Sequence, residues 1–326
     1  MATTAQMIAR QQPMTSDFGY RSTACDVLAG HDLAGRSAIV TGGYSGLGHE
    51  TVKALSAAGV SVVVPARRPD VAAAAVADLP GVTVAAMDLA DLDSVAAFSA
   101  ARRQDGTPVD LVLNVAGVMA SPSGRTPQAW ESQFGTNHLG HFALVGGIAG
   151  LLADGARVIS YSSVAHYRSP VRFDDLSFEK EPYDPWVAYG QSKTANALFA
   201  VALDARGAGR GIHAFSLHPG GILTDLQRHM DPADLRARGW VDEHGNPNPL
   251  FKTAEQGAAT GLWAATTLAL LDRGGVYCED CSVKGVVPDD HADLSTGGVK
   301  AWAIDVDAAE RLWAVSVAAT GLDPLG

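Results

Sequence analysis

Short apolar runs of strand length recur along the chain and are separated by segments in which apolar residues follow helical spacing. A short, continuously apolar run is typical of a strand buried on both faces, and alternation of such strands with helices is typical of a parallel sheet covered by helices. The sequence therefore predicts a doubly wound α/β fold of the Rossmann type. The predicted strands are Ser37–Thr41, Val60–Pro65, Val82–Met87, Leu111–Val115, Arg157–Tyr161 and His213–Leu217.

The segments between these strands are predicted as crossover helices, and a further helix is predicted near the end of the chain. These helices are Gly46–Ala58, Val71–Leu79, Leu92–Arg102, Trp130–Leu152, Ala188–Arg206 and Asp307–Ala319. We expect a single domain over residues 35–326, preceded by an N-terminal surface arm over 1–34. Prolines and glycines interrupt 226–252, which we interpret as a substrate lid, and 288–326 is a C-terminal extension.

Composition excludes several classes of protein. The chain has 326 residues, of which 47% are hydrophobic, and a formal net charge of −11. No run of Lys or Arg could follow a phosphate backbone, so a nucleic-acid partner is not expected. No uninterrupted apolar run approaches the roughly 20 residues of a membrane helix, and the first thirty residues lack the apolar core of a secretory signal. We therefore expect a cytoplasmic protein without a membrane partner.

The three cysteines are too few for a disulfide framework in a chain of this size. Cys278 and Cys281 have a spacing that also suits a zinc knuckle or a redox pair. A structural zinc site needs about four ligands, and no second pair of Cys or His lies at matching spacing. Free thiols and no metal are the expectation, with a redox or metal role as the alternative.

A glycine-rich segment follows the first predicted strand and precedes a helix. It reads Thr41-Gly42-Gly43-Tyr44-Ser45-Gly46-Leu47-Gly48. Glycines let the backbone approach a pyrophosphate closely, and the N-terminus of the following helix offers free N–H groups to it. The segment predicts a dinucleotide site, and a glycine-rich turn without a ligand is the alternative.

Tyr189 and Lys193 lie four residues apart in a predicted helix, so their side chains share one face. A phenol has an ordinary pKa of about 10 and is a poor base at neutral pH unless a neighbour favours its ionised form. The ammonium group of Lys193 is expected to lower the pKa of Tyr189 in this way.

The G-x-x-x-G-x-G spacing of Gly42, Gly46 and Gly48, together with Tyr189-x-x-x-Lys193, resembles the short-chain dehydrogenases/reductases over roughly Gly35 to Val287. The resemblance implies a catalytic serine at a strand end, for which Ser162 and Ser163 compete. Ser163 is preferred because a small apolar residue follows it. The resemblance also implies that Asn137 holds a water that links Lys193 to solvent.

The same resemblance extends the cofactor site along the strand ends. Asp88-Leu89 resembles the pair that holds the adenine, and Asn114-Val115-Ala116-Gly117 resembles a family motif in which Val115 replaces a second Asn. The turn after the sixth strand resembles the one that wraps the nicotinamide. The implied cofactor residues are Gly42, Tyr44, Ser45, Gly46, Leu47, Gly48, Arg67, Arg68, Asp88, Leu89, Asn114, Ala116, Gly117, Tyr189, Lys193, Pro219, Gly220, Ile222 and Thr224.

The end of the second strand predicts which cofactor is preferred. Ala66 occupies the position at which a carboxylate would accept a bond from the ribose of NAD, and Arg67 and Arg68 follow it. Two positive charges and no carboxylate favour a 2′-phosphate. We therefore expect NADP(H), with NAD(H) and a solvated surface role for the arginines as the alternative.

The long segment Val164–Ala188 between the serine and the tyrosine resembles that of retinol-dehydrogenase-like members and of WW-domain oxidoreductases. It implies an apolar substrate pocket. The expected activity is NADP(H)-dependent hydride transfer between a carbonyl and an alcohol of a small apolar molecule. Imine or enone reduction, epimerisation and a catalytically silent dinucleotide-binding regulator are the alternatives. Family members pair through the helices that carry Asn137 and Tyr189, which implies a homodimer or homotetramer.

Overall fold

The strands form one large sheet and one small one. The structure is a computed structural model that describes residues 3–325. The strands in this range are β1 (Ser37–Val40), β2 (Ser61–Ala66), β3 (Val82–Ala86), β4 (Val109–Asn114), β5 (Leu152–Tyr161), β6 (His213–His218), β7 (Tyr277–Glu279), β8 (Ser282–Val283), β9 (Val286–Val287) and β10 (Val299–Lys300). All six predicted strands are present, with ends that move by up to a few residues.

The large sheet has the strand order β3-β2-β1-β4-β5-β6-β7-β8. Its first seven strands are parallel, and only β8 runs antiparallel to its neighbour. The chain direction across the sheet reverses between β1 and β4, and open sheets of this kind bind ligands at the carboxyl ends of the strands beside that point. The sheet confirms the predicted doubly wound fold. A ligand site is expected at the carboxyl ends of the strands next to β1 and β4.

Helices cover both faces of the sheet. They are α1 (Thr4–Arg10), α2 (Ala24–Leu28), α3 (Gly46–Ala57), α4 (Pro69–Ala75), α5 (Leu92–Asp105), α6 (Ser132–Phe134), α7 (Gly140–Gly147), α8 (Pro185–Gly207), α9 (Pro232–Ala237), α10 (Ala254–Thr266) and α11 (Val306–Thr320). α8 begins earlier than predicted because Asp184 accepts from two backbone N–H groups of its first turn and Pro185 suits the first helical position. None of the helices described is both long and apolar enough to cross a membrane.

The single helix predicted over Trp130–Leu152 is interrupted. The chain forms the short helix α6, then a π-helical turn at Gly135–Leu139, then α7, and β5 already begins at Leu152. A π-helical turn widens the backbone by one residue and is frequent at functional sites. Periodicity in the sequence cannot register such a local change, because the apolar residues on both sides remain at helical spacing.

The last strands were not predicted. β7 has three residues and β8 to β10 have two each, which is too short for an apolar pattern to be visible. β7 and β8 form a hairpin in which Asp280 and Cys281 have φ of +52° and +54°. Cys278 and Cys281 lie in this hairpin as two buried free thiols.

The residues before β1, expected as a surface arm, pack against the body of the protein. Met7 and Val27 are each only 2% exposed. Gln11 is fully buried, accepts from the backbone N–H of Tyr277 at 2.9 Å and donates to its carbonyl at 2.8 Å. These two bonds satisfy the free edge of β7, where the short partner strand β8 leaves backbone groups unpaired.

The C-terminal helix α11 covers α7 and α8. Trp313 packs against the rings of Phe142 and Phe199, with centroid distances of 4.9 and 6.1 Å, and the Arg206 guanidinium lies 4.1 Å from its ring. His138 in the π-helical turn bonds Ser316 of α11 at 2.7 Å. Helix α11 therefore covers part of the two helices through which family members pair, and the homodimer or homotetramer stays a prediction.

We expect Trp313→Ala to lower the free energy of unfolding by about 3–5 kcal/mol, because it leaves a cavity between α11 and the two phenylalanines. Urea unfolding followed by circular dichroism measures this change. Leu268→Ala is the control, since Leu268 is 78% exposed, and it should change stability by less than about 0.5 kcal/mol. Equal losses in the two variants would contradict the packing described.

Buried histidines couple stability to pH. His138 is 1% exposed, and burial together with the neighbouring His141 lowers its pKa from 6.5 to about 3. Its Nε2 lies 2.7 Å from the Ser316 hydroxyl, which itself donates to the Leu312 carbonyl. Nε2 therefore donates, and His138 is neutral in the folded state. The unfolded chain binds a proton at this histidine near pH 6.5, and the folded chain does not.

The contribution of His138 to stability should therefore fall as the pH drops from 6.5 to about 3, by about 1.4 kcal/mol per pH unit. His138→Phe, among the rings of Phe134, Phe142 and Phe199, should reduce the slope by about that amount. Urea unfolding at several pH values measures both slopes. Burial raises the pKa of Glu279 to about 7, an opposite contribution that is common to both proteins. Equal slopes would disprove the assignment.

Candidate active site

The glycine-rich turn after β1 has the geometry of a phosphate-binding loop. Gly42 and Gly46 have φ of +68° and +52°, which side chains rarely adopt. A Cβ at Gly48 would overlap the carbonyl oxygen of Gly42, so only glycine lets α3 begin directly against the turn. The three glycines of the predicted motif therefore each meet a steric requirement of the backbone.

The N-terminus of α3 is open beside this turn. Ser45 occupies the N-cap position, but its side chain makes no capping hydrogen bond. The first N–H groups of a twelve-residue helix are then available to an anion. Tyr44 and Leu47 pack on the apolar core beneath the turn. Thr224 lies on its other side, with its methyl carbon 3.2 Å from where a Cβ of Gly46 would be.

The two predicted cofactor-selecting arginines lie at the end of β2, next to β1. Ala66 is the buried last residue of this strand, and Arg67 and Arg68 are exposed directly after it. Within residues 3–325, neither arginine forms an ion pair or donates a side-chain hydrogen bond. Both guanidinium groups are thus available at the edge of the sheet that carries the glycine-rich turn.

The ends of β3 and β4 bring further polar groups to this edge. Asp88 accepts from the backbone N–H of Ala90 at 3.0 Å through one carboxylate oxygen, and Leu89 beside it is buried. Asn114 is 1% exposed, and neither atom of its amide has a hydrogen-bond partner among the residues described. A buried amide without partners is rare in folded proteins, so Asn114 is oriented for a polar ligand.

Small residues follow Asn114. The backbone N–H of Ala116 donates to the Thr41 hydroxyl at 3.0 Å, which joins the ends of β1 and β4. At Gly117, a Cβ would lie 3.1 Å from Oδ1 of Asn137 and 3.7 Å from Nζ of Lys193. The missing side chain at 117 therefore lets this strand end approach the residues on α8 and on the π-helical turn.

Tyr189 and Ser163 meet at the carboxyl end of β5. Tyr189 is 4% exposed, and burial raises its pKa above the ordinary value, which a hydrogen bond with the Ser163 hydroxyl partly opposes. Ser163 begins a 3₁₀ turn and accepts from the N–H of Ala165 at 3.1 Å. Ser162 is buried and donates to the Lys193 carbonyl at 2.7 Å. Of the two candidate serines, Ser163 is the one beside the phenol.

Lys193 lies behind Tyr189, with Nζ 5.6 Å from the centroid of the phenol ring. Nζ donates to the carbonyl of Tyr161 at 2.7 Å, and burial lowers the pKa of Lys193 to about 7. The expectation that Lys193 lowers the pKa of Tyr189 is not met here. Burial disfavours the charged form of each group, and for the phenol it outweighs the opposing effect of the Ser163 hydroxyl.

Asn137 lies in the π-helical turn and faces the same group. Its Oδ1 accepts from the N–H of Val118 at 2.8 Å, and its Nδ2 donates to the Val118 carbonyl and the Ser192 hydroxyl, both at 2.9 Å. These three bonds fix the amide between the end of β4 and helix α8. The structure therefore brings Asn137, Ser163, Tyr189 and Lys193 to one place.

The turn after β6, which contains Pro219, borders this place on the other side. Gly220 has φ of +103°, and a Cβ there would lie 2.7 Å from the Lys252 side chain. The carbonyl of Ile222 accepts from the Gln227 side chain at 2.9 Å. The turn thus contacts both ends of the segment 226–252, through Gln227 at its start and Lys252 at its end.

An apolar cluster surrounds Tyr189. Its buried members are Met119, Ala165 and Tyr189, and the residues packed against them are Ala120, Trp186, Leu226, Met230 and Trp240. Three of the packed residues belong to the segment 226–252. The tyrosine hydroxyl therefore lies in apolar surroundings, to which the segment predicted as a lid contributes.

A family model described as short chain dehydrogenase matches residues 36–234, more than half of the chain. The chain belongs to the short-chain dehydrogenase/reductase family. A probable oxidoreductase of Streptomyces lividans is 47% identical over 86% of this chain and 96% of its own length. Human retinol dehydrogenase 13 is 33% identical over 89% of this chain and 86% of its own. These matches confirm the family resemblance and its retinol-dehydrogenase-like character.

A solved structure similar to this chain is a complex with NADP. The NADP active-site complex of Pseudomonas aeruginosa RhlG is 25% identical over 76% of this chain and 94% of its own, with a TM-score of 0.59. Short-chain dehydrogenases/reductases bind a nicotinamide dinucleotide, and the residues present here fit one. The open α3 N-terminus, the partnerless amide of Asn114 and the free arginines are three separate observations in favour of that fit.

Two residues in the hydrogen-bond network of this short-chain dehydrogenase/reductase site were not predicted as site residues from the sequence. His141 is buried and joins the Asn137 carbonyl to the Thr41 hydroxyl, at 2.9 Å each. Asn196 donates to the same carbonyl at 2.7 Å. Asn196 follows Lys193 by three residues and lies on its face of α8, and that spacing was the available signal.

Proposed function

We propose that the protein is an NADP(H)-dependent oxidoreductase that interconverts a carbonyl group and an alcohol of a largely apolar small molecule, with Tyr189 as acid and base. The observation that carries this proposal is the pair of hydroxyls of Tyr189 and Ser163 beside the apolar cluster, which we assign as the substrate pocket. A polar pair in apolar surroundings holds the oxygen of the substrate at one position while the remainder of the molecule contacts apolar side chains.

Tyr189 donates its proton to the carbonyl oxygen in the reductive direction and recovers one in the oxidative direction. The bound nicotinamide supplies or accepts the hydride. Burial raises the pKa of Tyr189, so the phenol is protonated at neutral pH, which suits the reductive direction. Ser163 donates to the same substrate oxygen and so holds it within reach of the phenol.

Lys193 and Asn137 take part in supplying protons to Tyr189. The pKa of Lys193 is about 7, so the amine exchanges a proton readily near neutral pH. It lies next to both the phenol ring and the position of Gly117, where Asn137 also contacts the end of β4. We assign Lys193 and Asn137 to the route by which a proton reaches Tyr189 from solvent.

The preference for NADP(H) rests on the end of β2. Arg67 and Arg68 are exposed and have no carboxylate partner within residues 3–325, and Ala66 offers no carboxylate to a ribose. A guanidinium group binds a phosphate through charge-assisted hydrogen bonds. The NADP complex of the Pseudomonas aeruginosa relative supports the same cofactor.

The remaining parts of the chain are assigned around this site. We propose that 226–252 is a lid over the substrate, since Leu226, Met230 and Trp240 contact the pocket. The extension 288–326 supports the site from behind, since α11 packs on α8 and Lys300 donates its backbone N–H to His166, which follows Ser163 closely.

Tyr189→Phe should lower kcat at least about a hundredfold while NADPH still binds, because one proton donor is lost and the ring is kept. Turnover of a panel of aldehydes and ketones, followed by NADPH absorbance, measures kcat, and fluorescence titration measures binding. Tyr167→Phe is a matched control, since the Tyr167 hydroxyl has no partner in the part of the chain described. Normal kcat in Tyr189→Phe would eliminate the proposed mechanism.

Arg67→Ala should weaken the preference for NADPH over NADH about ten- to a hundredfold, which corresponds to the roughly 1.5–3 kcal/mol of a charge-assisted hydrogen bond. Ala66→Asp should shift the preference towards NADH, because it adds a ribose acceptor and a repulsive charge. Values of kcat/KM with both cofactors measure this ratio. Arg10→Ala, an exposed arginine on α1, should leave it unchanged. A wild-type preference for NADH would refute the assignment.

A further inference from the structure

Two arginines from different parts of the chain meet at one tryptophan beside the pocket. Arg168 ends the 3₁₀ turn that begins at Ser163, and Arg238 follows α9 in the segment 226–252. The guanidinium carbons lie 5.3 and 4.4 Å from the centroid of the Trp186 ring. That ring lies 6.4 Å from the ring of Tyr189, edge to face.

Neither arginine is neutralised by a side chain within residues 3–325. Neither side chain forms an ion pair or a hydrogen bond there. Asp184 carries a negative charge that acts on Arg168. Its carboxylate caps α8, where it accepts from the backbone N–H groups of Trp186 and Val187 at 2.7 and 2.9 Å. Burial lowers the pKa of Arg168, and the like charge of Arg238 lowers it further.

We propose that Arg168 and Arg238 form a binding site for a carboxylate, so that the substrate carries this group at the far end of an apolar segment from its reacting carbonyl. The assignment rests on the proposed function and names its substrate class. Two guanidinium groups at one aromatic ring offer charged, planar donors to the oxygens of a carboxylate, and binding one would relieve their mutual repulsion.

The positions of the two arginines determine what such a substrate looks like. The carbonyl lies at Tyr189 and Ser163, the apolar segment follows the Trp186 ring, and the carboxylate reaches the guanidinium groups. Met119, Met230 and Trp240 border the apolar stretch. An ω-oxo carboxylic acid, with an aldehyde at one end and a carboxylate at the other, has this arrangement of groups.

Arg168 is held rigidly relative to the reacting atoms. A Cβ at Gly190 would lie 2.8 Å from the carbonyl oxygen of Ala165 and 3.0 Å from the Cβ of Arg168. Glycine next to Tyr189 therefore lets the turn that carries Ser163 and Arg168 pack directly on α8. Arg238 comes instead from the segment proposed as the lid, so a carboxylate bound by both arginines would hold the lid against the body of the protein.

The first test compares suberic semialdehyde, its methyl ester and octanal, which share an aldehyde and an apolar chain. The wild-type protein should favour the acid over the ester about ten- to a hundredfold in kcat/KM. Arg168→Ala and Arg238→Ala should each remove most of this preference and change kcat/KM for octanal less than about twofold. Arg236→Ala, an exposed arginine of the same segment, should keep the preference. Equal use of acid and ester by the wild-type protein, or parallel losses for all three substrates, would overturn the proposal.

The second test does not require turnover. Calorimetric titration should show that octanoate binds the wild-type protein and Arg236→Ala. It should bind Arg168→Ala and Arg238→Ala at least about tenfold more weakly than the wild-type protein. If none of the aldehydes is reduced but octanoate binds in this arginine-dependent way, the carboxylate site stands and the proposed reaction fails. If octanoate does not bind, or binds all variants equally, the carboxylate site is disproved.

Discussion

Two hydrogen bonds between Lys193 and the end of β5 fix the geometry on which the site depends. The Lys193 ammonium donates to the carbonyl of Tyr161, and the Lys193 carbonyl accepts from the Ser162 hydroxyl, both at 2.7 Å. One bond leaves from the side chain and the other from the backbone, so α8 can neither rotate nor slide along the strand without breaking one of them. Tyr189, one turn earlier on this helix, is thereby held beside Ser163.

The remaining contacts extend this arrangement to the cofactor edge. Asn137 bonds both the end of β4 and Ser192 of α8, and its carbonyl accepts from Asn196 and His141. His141 continues to Thr41, the residue before the glycine-rich turn. A chain of buried bonds thus runs from the glycine-rich turn to α8. The side chains of Asn137 and His141 use all their polar atoms in these bonds, which makes this part of the network rigid and keeps the two halves of the site in one relative position.

The sequence predicted the parts of the fold that come from repeated local patterns. Apolar runs such as Val62–Val64 fill a buried parallel strand, and Gly42 and Gly46 meet a backbone requirement that few other residues can satisfy. Features that depend on a few tertiary contacts were missed. β7 is three residues long, the π-helical turn at Gly135–Leu139 leaves helical spacing intact, and the burial of Met7 depends on a distant sheet edge. The pKa values of the site were likewise set by burial, which a helical spacing of four residues cannot convey.

Burial of the Lys193 amine opposes folding, because it takes a charged group out of water. Its pKa falls from 10.5 to about 7, so the folded state binds this proton less tightly than the unfolded chain does. Below pH 7 the amine is charged in both states and the full cost of burying the charge opposes folding; the cost diminishes as the pH rises towards 10.5, by about 1.4 kcal/mol per unit. The neighbouring phenol has the opposite tendency, since burial retains its proton. Burying this amine beside the phenol is unfavourable for stability. For the proposed reaction, however, an amine that releases a proton readily is suited to returning one to Tyr189 after each transfer.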